Sequence, residues 1–95
     1  MTKESTFQST VIKYLEKKGC YVIKTGGIGT PNGCPDVIAL MDGGGWLALE
    51  LKASEKAKFQ PLQKATIKKL NDMYYSRAVS PDVWSEVKKE LENYL

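Results

Sequence analysis

Pro35-Asp36-Val37-Ile38-Ala39-Leu40, a glycine turn at Asp42-Gly43-Gly44-Gly45, and Trp46-Leu47-Ala48-Leu49-Glu50-Leu51-Lys52 form the stretch that decides how this chain folds. Two short apolar runs joined by glycines read as a β-hairpin. Side chains alternate between the faces of a strand. Trp46, Ala48, Glu50 and Lys52 therefore point one way, and Leu47, Leu49 and Leu51 point the other, into the deeper core. Asp36, Ile38 and Leu40 share a face of the preceding strand. Directly opposed residues in an antiparallel ladder lie on the same face and have a constant sum of positions. A register summing to 86 sets Asp36 opposite Glu50 and Leu40 opposite Trp46. A sum of 87 sets Leu51 opposite Asp36 and separates the acids. The hairpin permits the first register without dictating it.

Working outward, the first helix is expected over Lys3–Lys18, stopped by Gly19, with Phe7, Val11, Tyr14 and Leu15 at helical spacing. Cys20–Lys24 reads as a strand. The Gly26–Gly33 segment is a loop without a GxGxxG or Walker lysine, so no nucleotide cofactor is expected. Pro61 opens a second helix whose apolar stripe is Ile67, Leu70 and Met73/Tyr74. Ala78-Val79 is expected as a short edge strand. Ser80-Pro81 looks like the cap and first turn of a last helix carrying Val83, Trp84, Val87, Leu91 and Tyr94. The expected fold is α/β, a small mixed sheet flanked by helices in the order α-β-β-β-α-β-α, with residues 1–95 as one domain.

Composition narrows the function. The chain has 95 residues, 42% hydrophobic and 26% charged, as in an ordinary globular protein. No apolar run approaches the ~20 residues of a membrane span, and Met1–Ser5 lacks a signal-peptide core, so a cytoplasmic location is expected. There is no histidine, which excludes every triad that uses one as base. Cys20 and Cys34 lack metal-site spacing. Net charge is +3, and of 14 basic residues only Arg77 is arginine. Lysines act as point charges toward phosphates, whereas arginine forks dominate the reading of guanine. Backbone contact is favoured over sequence reading, with Lys24, Lys56, Lys58 and Lys64 as candidate DNA contacts.

Two carboxylates on one face suit Mg²⁺ or Mn²⁺, which take oxygen ligands, keep several waters and bind substrate phosphate. Asp36 and Glu50 are the candidate ligands, and the Leu51 backbone carbonyl can add a third. Lys52 would act beside the metal on the attacking water or on transition-state charge. For Glu50-x-Lys52 alone an ordinary ion pair is the simpler account; Pro35-Asp36 on the neighbouring strand shifts the reading to a metal-dependent nuclease site. Glu4 and Gln8 extend the Val11/Leu15 face of the first helix, and Gln63 interrupts the stripe of the second. Polar groups on an apolar face need partners, and a shared site supplies them. First-turn placement of Glu4 against the helix dipole and edge exposure of Gln63 are equally simple accounts.

Gly33-Cys34-Pro35-Asp36, thirteen intervening residues and Glu50-Leu51-Lys52 resemble the PD-(D/E)xK nuclease signature. With Glu4-Ser5-Thr6-Phe7-Gln8 upstream and Gln60-Pro61-Leu62-Gln63 downstream, nearly the whole chain resembles the virus-type replication-repair nuclease (VRR-NUC) domain, in its short stand-alone phage form. Cys34 stands where an aliphatic residue or threonine is expected. The resemblance implies a restriction-endonuclease-like fold, a Mg²⁺ or Mn²⁺ site and cleavage of branched DNA. It carries metal ligation to Asp36 and Glu50, catalysis to Lys52, and supporting roles to Glu4, Gln8 and Gln63, with Glu4 a further candidate ligand. Small members are similar to archaeal Holliday-junction resolvases and are expected to be homodimers working in the cytoplasm of a bacterial host. A larger relative cuts flaps, so four-way junctions and flaps are both open as substrates. A non-catalytic DNA-binding module and a subunit of a larger complex are the rival readings.

Overall fold

The computed structural model describes residues 3–27, 29–54 and 61–95, with side chains from Thr6 onward. The Glu4 side chain, Lys56 and Lys58 lie outside the described residues. Helix α1 (Lys3–Lys17) is followed by strands β1 (Tyr21–Lys24), β2 (Val37–Leu40) and β3 (Trp46–Leu51). Helix α2 (Pro61–Met73), strand β4 (Ser76–Val79), a 3-10 turn (Pro81–Val83) and helix α3 (Trp84–Leu91) complete the order. The expected α-β-β-β-α-β-α sequence is the observed one.

Phe7, Val11 and Leu15 recur every four residues along α1, and all three are buried. The helix stops because Gly19 takes φ +91°. Its amide then donates to Glu16 O and the Cys20 amide donates back to Leu15 O, closing the last turn. One residue of loop later the chain enters β1.

The sheet has the order β1-β2-β3-β4, antiparallel up to β3 and parallel between β3 and β4. Leu40 pairs with Trp46 and Val37 with Leu49, the register that sums to 86. Val37, Ala39, Leu47, Leu49, Leu51 and Val79 form the core face. Against them lie the α1 residues and Trp84, Val87 and Leu91 of α3. Phe7 meets Trp84 edge to face, ring centroids 5.9 Å apart. The three leucines of β3 are the deep core, as alternation requires.

The second helix departs from expectation. No residue of α2 is fully buried, and Met73 is 66% exposed. The helix packs on β3 and β4, leaving the same face of β1 and β2 uncovered. Tyr21 opposes Leu40 and Ile23 opposes Ile38 there, and Tyr21, Ile23 and Leu40 are exposed. Tyr75 and Trp84 are core residues, whereas Tyr74 stays exposed.

Candidate active site

Central strand β3 is covered on both faces, so its one acid is buried. Glu50 is only 2% exposed. Continuing the β2–β3 register by one rung past Val37–Leu49 brings Asp36 opposite Glu50. The two carboxyl groups hydrogen-bond each other. Burial pushes the Glu50 pKa up, the hydrogen bond and negative charge of Asp36 push it further, and Lys52 pulls it back; it settles at about 8. The second Glu50 oxygen, Oε2, is buried without a hydrogen-bond partner. Native folds rarely leave a carboxylate oxygen so.

Asp36 is fixed from three sides. Its Oδ2 accepts the Leu51 amide at 2.8 Å, replacing a backbone ladder partner. Its own carbonyl accepts the Thr25 amide at 2.9 Å, just past β1. The Thr25 hydroxyl donates to the carbonyl of the buried Pro35 at 2.6 Å. Because N–H and C=O of one strand residue leave on the same edge, the Leu51 carbonyl also faces the Asp36 side.

Lys52 Nζ donates to Gln63 Oε1 at 3.1 Å, and both side chains are half-buried. Gln63 sits in the first turn of α2, which is held close by Gly33. There φ is +79°, and a Cβ would lie 2.8 Å from Leu62 Cγ and 3.1 Å from both Leu62 O and Thr66 Oγ1. Only glycine allows that approach. Gly33→Ala is expected to cost about 1–3 kcal/mol in urea unfolding. It is also expected to displace Gln63 from Lys52, so that activity falls at temperatures where the variant is still folded.

The structure therefore joins Asp36, Glu50, Lys52 and Gln63 on one face. Gln8 is half-buried on α1 but has no side-chain hydrogen bond among the described residues; neighbouring Thr6, Phe7 and Thr10 border a groove with Ala53 and Ser54. Lys24 is exposed and pairs with Val37, on the face away from the acids. Lys64 is exposed beside Gln63. Thr25 and Gly33 escaped sequence reading: both act through loop contacts that only the β1–β2 register and the α2 docking create. Among the described residues no group of three or more His, Cys, Asp or Glu converges. Among the described residues, the oxygens placed to hold a cation would be those of two carboxylates and a carbonyl, a hard oxygen set of the kind Mg²⁺ or Mn²⁺ takes.

Comparison with known proteins agrees with this geometry. The family model for archaeal Holliday junction resolvases (Hjc) matches residues 2–94. A solved structure described as a VRR_NUC domain superposes with a TM-score of 0.78 at 25% identity, covering 100% of both chains. The fold is restriction-endonuclease-like. No curated protein matches the chain significantly.

Proposed function

Because the chain belongs to the archaeal Holliday junction resolvase family, we propose that it is a Mg²⁺- or Mn²⁺-dependent endonuclease that nicks branched DNA, four-way junctions foremost, as a homodimer. The observation that carries this reading is the Asp36–Glu50 pair, in which Glu50 is buried and one of its carboxyl oxygens is left unpartnered. Such a pair is costly in a fold unless a ligand completes it.

Asp36 and Glu50 would hold the cation, and the Leu51 carbonyl would add a third donor. When bound, a divalent cation there offsets phosphate charge and lowers the pKa of a coordinated water. Lys52 extends its ammonium toward the scissile phosphate and stabilises the charge that grows on it. Gln63 restrains the lysine, so less ordering remains to be done at the transition state. Lys64, with Lys56 and Lys58, would neutralise backbone phosphates near the site, and Lys24, on the other face, would reach only DNA that wraps past the sheet edge; thirteen lysines against one arginine favour shape over sequence. Glu4 and Gln8 support the site from α1.

A four-way junction has two symmetric strands to cut, and one chain carries one candidate site. A second copy related by a two-fold axis supplies the other. The uncovered face with Tyr21, Ile23 and Leu40, beside exposed Met73 and Tyr74, is the surface such a copy would cover. No described helix is long and apolar enough to cross a membrane, and the DNA substrate puts the work of the protein in the cytoplasm.

The test is a nicking assay on four-way, flap, fork and linear duplex DNA with Mg²⁺ or Mn²⁺, alongside sedimentation of the protein alone. Paired nicks in the four-way substrate and a mass near twice that of the monomer are expected. Binding without nicks in any substrate would leave a DNA-binding module. Cutting confined to flaps would replace the junction reading with the flap one.

A further inference from the structure

Ser80-Pro81 has the form of a helix cap, yet the Ser80 hydroxyl makes no capping hydrogen bond to the 3-10 turn it precedes. Ser80 is 2% exposed. Its Oγ is sealed from solvent and has no partner. The hydroxyl therefore does nothing for the fold that would offset its burial.

Its position is more telling. The backbone at Ser80 is still extended, φ −133° and ψ 165°, so strand alternation runs through it. Tyr75, just before β4, and Arg77 within it reach Glu90 on α3, which leaves Ser76, Ala78 and Ser80 on the opposite face. Glu50 pairs with Ala78 across the parallel ladder, and the Lys52 amide donates to Val79 O at 2.8 Å. One step further, Ser80 comes beside Lys52, on the face of the acids.

Ser80, Lys52 and Ser54 line a cavity of about 170 Å³ beyond the carboxyl ends of β3 and β4. No carboxylate lines it among the described residues. Its other charged neighbour, Arg77, is paired with Glu90 and Glu86. Ala78, Val79 and Val83 complete the wall, and a lysine with two serines beside a small cavity can supply donors to a tetrahedral oxyanion.

We propose that this cavity is a phosphate subsite, in which Ser80 and Ser54 hold a non-scissile backbone phosphate next to the one attacked. It rests on the nuclease reading. Ser80 Oγ is covered in the present rotamer; a turn about χ1 toward the cavity would give it a phosphate oxygen as the partner it lacks, and so fix the DNA strand in register with Lys52.

The test compares the full-length chain with Ser80→Ala and Ser80→Thr on a labelled four-way junction, with Ca²⁺ for binding and Mg²⁺ for nicking. For Ser80→Ala, Kd and KM are expected to rise about tenfold, with kcat within about twofold and Mn²⁺ affinity without DNA unchanged. Ser80→Thr, which keeps the hydroxyl, should restore affinity. The melting temperature of Ser80→Ala should equal or exceed that of the parent, because an orphan hydroxyl is removed. Should the alanine variant fail to fold, Ser80→Cys, nearly isosteric and a poor donor, carries the same expectation. Unchanged Kd in the alanine or cysteine variant overturns the subsite while the parent still binds and nicks. A lowered melting temperature with no recovery of affinity in the threonine variant makes Ser80 structural and overturns it too. If the parent neither binds nor nicks, the nuclease reading falls and the subsite with it.

Discussion

Glu50→Gln is expected to abolish nicking, by on the order of 10³-fold or more, because one carboxylate held to a divalent cation carries several kcal/mol of transition-state stabilisation. Asp36→Asn should do the same. Neither change should unfold the protein. The asparagine oxygen can still accept the Leu51 amide that Asp36 accepts now. Glutamine keeps the shape of a side chain whose carboxyl holds its proton up to about pH 8. That protonation adds a second readout in metal-free protein. Unfolded, Glu50 titrates at the ordinary value near 4.5; folded, it titrates at about 8. Between those values the folded state binds a proton that the unfolded state has released. The stability Glu50 contributes is therefore complete below about 4.5 and is lost as pH climbs through 8. Melting temperature without metal should fall from pH 6 to pH 9 in the parent and fall less in Glu50→Gln. Added Mn²⁺ should raise the parent's melting temperature at pH 9 and leave Glu50→Gln little changed. Full nicking activity of either variant at saturating metal, or identical pH–stability curves, would remove Glu50 from the site.

The acid pair was legible in the sequence because strand alternation and one hairpin register involve only neighbouring residues. Asp42-Gly43-Gly44-Gly45 marks the return of the chain and leaves two registers open; the one that pairs Leu40 with Trp46 is observed. The edge strand was legible for a similar reason, though it begins at Ser76, two residues earlier than its apolar pair indicates. Other features depend on where elements dock. The Ile67–Leu70–Met73 stripe reads as buried, but α2 covers only half the sheet, and Met73 ends in solvent. Gln63 interrupts that stripe, and its partner is Lys52, reached from the side of the helix rather than beneath it. Gln8 has the same pattern on α1 without a matching partner among the described residues. Gly33 looks like one more loop glycine until Leu62 and Thr66 are packed against it. Ser80-Pro81 carries a local capping pattern, yet the hydroxyl follows the alternation of β4 instead. Periodicity shows which face a residue takes; it does not show what covers that face.

Lys52→Ala tests whether the chemistry is shared between the acids and the lysine. The ammonium lies one alternation beyond Glu50 on the same face and is held at 3.1 Å by Gln63 Oε1. A lysine serving only as a phosphate contact has no need of such restraint, since a mobile ammonium attracts a phosphate nearly as well. Restraint matters when charge must be met at one point as it develops. The alanine variant is therefore expected to lose on the order of 10²-fold in kcat, while junction affinity measured with Ca²⁺ stays within a few-fold. Gln63→Ala should lose less, on the order of tenfold, because the lysine remains but must be ordered during the reaction. The double variant should be no worse than Lys52→Ala alone, since Gln63 acts through the lysine. Nicking at saturating DNA separates the alternatives. A variant that recovers full rate once enough junction is supplied marks Lys52 as a binding contact, and the chemistry then rests on Asp36 and Glu50.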